Sequence, residues 1–104
     1  MPEATRRARV DDLAGLALRE PELARTRDVC VTAHRGLLDA ETEQARARRS
    51  LEAAERRHPD GPVPAAEAQQ IADAIAASNR ALEQAQQALP RCEAQSRELA
   101  LRAR

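Results

Sequence analysis

His58-Pro59-Asp60-Gly61-Pro62-Val63-Pro64 is the stretch that decides the fold. Three prolines and a glycine within seven residues cannot continue a helix, because each proline lacks an amide donor and pushes the residue before it out of the α region. On either side the chain reads as helix. Gly61 is therefore the point about which two arms fold back on each other, and reflection about it pairs Cys30 with Cys92, the only two cysteines. The same reflection matches Leu51 with Ile71, Gln44 with Ser78, Leu37 with Ala85, Ala40 with Leu82, Ala47 with Ile75 and Leu23 with Leu99.

Both arms carry a seven-residue repeat. Leu23, Cys30, Leu37, Gln44, Leu51 and His58 form one expected core line before the turn, with Thr26, Ala33, Ala40, Ala47 and Ala54 as its companion. After the turn the lines are Ala68, Ile75, Leu82, Leu89, Ser96 and Ala103, and Ile71, Ser78, Ala85, Cys92 and Leu99. A sustained 3.5-residue spacing makes a left-handed supercoil, and so short a connection makes its partner the antiparallel arm of the same chain. The expected core sets a large residue against a small one in successive layers.

Outside the hairpin, Thr5 is a candidate N-cap and Val10, Leu13, Ala14, Leu16 and Ala17 share one helical face. This predicts a short first helix over about 6–19. Pro21 interrupts it, since proline costs about 3 kcal/mol inside a helix but is tolerated in a first turn. The expectation is one all-α domain over 1–104: a short helix, an arm over about 21–57, a turn over 58–64 and a second arm over about 65–103. Gly36 weakens the first arm by about 1 kcal/mol relative to alanine while permitting a close approach. Pro90 should bend the second by freeing the carbonyl of Gln86.

Composition agrees. The 104 residues contain no aromatic side chain, and alanine, leucine, glutamate, glutamine and arginine dominate, the mixture of long helices. The basic and acidic residues number 17 each, so no net field draws the chain to nucleic acid or an anionic membrane. Arg46, Arg48, Arg49, Arg56 and Arg57 cluster near the turn, but Glu41, Glu43, Glu52 and Glu55 are interspersed, as on a solvated face. Nucleic acid is thus not an expected partner, and a nucleic-acid-associated coiled coil is only a further alternative. No apolar run suits membrane insertion, and no apolar leader follows Met1 to Arg9, so a bacterial cytoplasm is the expected location.

Two polar pairs, Gln44 with Ser78 and Thr26 with Ser96, are expected to act as register layers in the seam. Cys30 and Cys92 have three readings. They can be reduced thiols packed as small apolar residues, a disulfide, or, with His34 one turn after Cys30, part of a metal site that lacks a fourth ligand. No metal and no cofactor is expected. Nor is a catalytic residue: a phosphate loop and a nucleophile motif are both missing from the sequence.

Leu13-Ala-Gly-Leu-Ala-Leu-Arg-Glu-Pro-Glu22, the charged arm after it and the return helix resemble the small hairpin proteins of flagellar and type III secretion systems, the FliJ/YscO-like stalk family. The resemblance implies a long antiparallel hairpin that engages an export ATPase and handles chaperones. Pro21, Pro90 and the short length depart from that pattern. The expected function is a non-enzymatic coiled-coil interaction protein, an adaptor or stalk component that meets a protein partner or further copies of itself through exposed helix faces. The alternative is a thiol-dependent switch built on Cys30 and Cys92.

Overall fold

The computed structural model describes residues 2–102 and contains three helices, α1 (Glu3–Ala14), α2 (Pro21–Arg57) and α3 (Ala65–Arg102). No strand occurs among the described residues. Ala103, the last position of one predicted repeat, lies outside them. α2 and α3 form the antiparallel hairpin, and α1 packs against α2 alone. The whole measures 64 × 23 × 19 Å.

Local chemistry sets the helix ends. Pro2, in extended conformation, precedes α1; its carbonyl accepts the Arg6 amide at 3.1 Å, and Glu3 places an acid in the first turn, where the helix dipole favours it. α1 thus starts before the predicted Thr5 cap. It also ends sooner, at Gly15, whose amide donates to the Asp11 carbonyl at 3.0 Å. Leu16 and Ala17, which continue the apolar period, are left outside and exposed. α2 begins at Pro21, where the break was expected. Its cap is Glu20, whose two carboxylate oxygens accept the amides of Glu22 at 3.1 Å and Leu23 at 2.8 Å. These bonds hold the Glu20 carboxyl below the ordinary value of 4.5, the Glu22 amide contributing most. α2 ends before His58, and α3 runs without interruption through Pro90.

The seam differs from the predicted one along one line of each arm, although Cys30 on the predicted α2 line is buried. Ala33, Ala40, Ala47 and Ala54 are buried as expected, and so are Ser78, Ala85 and Cys92. The companion lines, however, are Gly36 on α2 and Ala74 and Ala88 on α3, each one residue before the predicted position. Leu51 is 44% exposed and Ile75 49%; Leu23, Gln44, Ala68 and Ser96 are exposed too, and Leu37, Leu82 and Leu89 are half-buried. Small side chains let the backbones come close, and at that distance no room remains between them for leucine. A Cβ added to Gly36 would lie 3.0 Å from the Ala81 carbonyl oxygen and 3.2 Å from the Ala85 nitrogen and Cβ. The large residues are displaced to the side of the seam.

On its other side α2 presents Val31 and Leu38 to α1. Leu38, at 1% exposure, is among the described residues the one large side chain buried below 2%. Around it an ionic layer joins the helices. Arg6 makes two bonds to Glu41 at 2.8 and 3.0 Å, Arg7 reaches Asp39 at 3.2 Å, Arg35 reaches Asp11 at 3.1 Å, and the Thr42 hydroxyl donates to Glu3 at 2.7 Å.

The disulfide layer and the leucine stripe as candidate site

Cys30 and Cys92, 62 positions apart in sequence, are joined by a disulfide with their Cα atoms 4.8 Å apart. Ordinary helix pairs, about 8–10 Å between axes, seldom bring Cα atoms so near. Alanine neighbours and the contact at Gly36 make it attainable here. Both residues are 9% exposed. In the chain-entropy account, closing a loop of this length stabilises by about 4 kcal/mol. His34 is exposed, and among the described residues no group of three or more His, Cys, Asp or Glu side chains is placed to hold a metal ion.

The polar pairs are arranged differently from the reflection rule. Ser78 is buried, and its hydroxyl donates to the Ala40 carbonyl at 3.3 Å across the seam, while Gln44 is exposed on the flank. Thr26 donates to the Gln95 side-chain oxygen at 3.3 Å. Ser96, exposed, donates its hydroxyl toward the Cys30 sulfur at 3.8 Å. Each register contact thus runs from a side chain to a residue near the expected partner.

At the closed end, Arg57 and His58 clasp Glu67 across the turn. Arg57 meets its two oxygens at 3.2 Å each, and His58 Nε2 lies 3.6 Å from Oε1. The Arg57 hydrogen bond is the largest cause of the lowered Glu67 pKa. At the open end Arg102 pairs with both Glu22 and Glu98.

The two long faces of the hairpin are unlike. One carries a groove of about 540 Å³ bordered by Asp39, Glu43, Arg80, Gln84 and Gln87, with Ala77 and Ala81 at its floor. The other has a groove of about 320 Å³ lined by Gln44, Ala47, Arg48, Ile75, Ser78 and Asn79. Seven-residue spacing carries Leu37 and Leu51 to the side of Gln44, and Leu82 and Leu89 to the side of Ile75. This second face therefore bears an apolar stripe of five large side chains, none of them fully covered. The repeat made these residues visible in the sequence but assigned them to the core. Among the described residues, no helix is long and apolar enough to cross a membrane. No known protein family, curated protein or solved structure matches the chain.

Proposed function

We propose that the chain is a non-enzymatic helical-hairpin interaction protein, an adaptor or stalk component of a bacterial type III or flagellar secretion apparatus, working in the cytoplasm through a protein partner. One observation carries the interaction reading: small residues, alanine and glycine foremost, fill the seam, and beside it Leu51 and Ile75 are exposed and Leu37, Leu82 and Leu89 only half-buried. A hairpin that only had to fold would gain about 1.5–3 kcal/mol for each such side chain it buried fully. The secretion assignment rests on the resemblance at Leu13 to Glu22 and on the long antiparallel arms. Co-purification from the native cells, and paired binding to the export ATPase of the same genome, should be lost on Leu51→Glu/Ile75→Glu while helix content by circular dichroism is kept. Binding that is absent, or indifferent to the double variant, overturns the reading.

The disulfide favours a second reading, a thiol-dependent switch. Reducing cytoplasm keeps most thiols apart, so there the Cys30–Cys92 bond would report redox poise by locking or releasing the open end of the hairpin. Mass spectrometry across graded glutathione mixtures decides: the pair should interconvert within the physiological range, and a pair that stays in one state throughout removes this reading.

A further inference from the structure

The leucine-bearing face has an internal symmetry along α2. Leu37 and Leu51 stand seven residues on either side of Gln44. Glu41 and Arg48 lie three before and four after it on the adjoining edge, and His34 and Glu55 lie one further heptad out. Turning a second copy end for end about Gln44 brings Leu37 onto Leu51, Gln44 onto Gln44, Glu41 beside Arg48 and His34 beside Glu55, each contact occurring twice. Each of these four edge positions then meets a group of opposite charge or a hydrogen-bonding one. On α3 the level of Gln44 is that of Ser78, so the same rotation sets Ile75 against Leu82 of the second copy. The opposite face carries fewer large apolar side chains, Ile71 beside one groove and Val29 and Leu99 beside another.

Surface area points the same way. A compact monomer of 11.4 kDa exposes about 5,800 Å², whereas this chain exposes 7402 Å². The excess, about 1,600 Å² per chain, is the extra surface of a 64 × 23 × 19 Å rod and leaves long faces open to pairing. With Leu38 as the one large, fully buried side chain among the described residues, the isolated chain also has a small core for its length.

We propose that the stripe is occupied by a second copy of this chain, giving an antiparallel two-fold four-helix bundle with Gln44 at the symmetry axis. The isologous contact pairs α2 with α2 and α3 with α3. The Gln44 amides, each with a donor and an acceptor end, can bond reciprocally at the axis and so fix the register. Glu41 already accepts from Arg6; a carboxylate has lone pairs enough to take the partner's Arg48 as well. α1 contacts α2 and not α3, and it meets the edge of this face at Glu41 through Arg6. The inference rests on the hairpin being an interaction module and deepens it by naming the partner.

Sedimentation equilibrium on the full oxidised chain tests it. Wild type should weigh twice 11.4 kDa at micromolar concentration, and Leu51→Glu should weaken the dimer by more than about tenfold. Glu41→Arg and Arg48→Glu should each weaken self-association through like-charge contacts. An equimolar mixture of these two variants should restore it, because only the mixed pair opposes arginine to glutamate at both edges. Restoration by mixing distinguishes an interface contact from loss of the Arg6–Glu41 bond within one chain. A monomer at about 100 µM, a dimer indifferent to Leu51→Glu, or failure of the mixture to recover overturns the proposal. A monomer that still binds the export ATPase through the same face would leave the adaptor reading standing and remove the dimer alone.

Discussion

Gly36 and the two cysteines hold the arms at their closest. Replacing Gly36 by alanine gains about 1 kcal/mol of helix propensity, but the new methyl meets backbone atoms of Ala81 and Ala85, which cannot rotate aside. Overpacking of that kind costs about 1–3 kcal/mol, so Gly36→Ala should lower the melting temperature of the oxidised chain, and Gly36→Leu should lower it further. The double variant Cys30→Ala/Cys92→Ala should lose about 4 kcal/mol in urea unfolding. At the level of single residues the sequence was half transparent. Ala33, Ala40, Ala47, Ala85 and Cys92 were legible as core because they repeat every seven positions. Leu51 and Ile75 were misplaced because periodicity marks a side of a helix and leaves open how close its neighbour comes, and that distance was set by Gly36 and the alanines together.

Among the elements, α1 is the one attached by charge. None of its residues is fully buried, and exposed ion pairs are individually weak and screened by salt. The carboxyls of Glu3 and Glu41 are both lowered below the ordinary 4.5, Glu3 chiefly by the Thr42 hydroxyl and Glu41 chiefly by Arg6. Since their folded values are depressed, the docking they support is complete above about pH 4.5 and fades as pH falls through those values. Hydrogen exchange should show α1 amides losing protection in acid or in 1 M salt while the α2 and α3 amides near the disulfide keep theirs; equal loss in all three helices would contradict this. The lowered Glu20 carboxyl acts in the same direction at the start of α2. Helix boundaries at Pro21, Arg57 and Ala65 could be read from prolines. Those of α1 could not, because Glu3 owes its place to Thr42, 39 residues away.

As a whole molecule the chain is a rod. Its radius of gyration is 18.5 Å, against about 13 Å for a compact chain of this length. X-ray scattering on the Leu51→Glu variant should return a value near that of the single chain, and wild type should return a larger one if two rods pair end for end in partial overlap. The position of the disulfide along this rod has a mechanical consequence. Cys30 and Cys92 lie nearer the open end than the turn, so tension applied to the two chain ends can detach α1 and peel Pro21 to Val29 from Glu93 to Arg102, but can open the hairpin no further. Everything from Cys30 around the tip to Cys92 is then shielded from the load. The oxidised hairpin behaves as a fixed-length lever whose fulcrum is covalent, and reduction converts the same rod into a zipper that force can open to its tip.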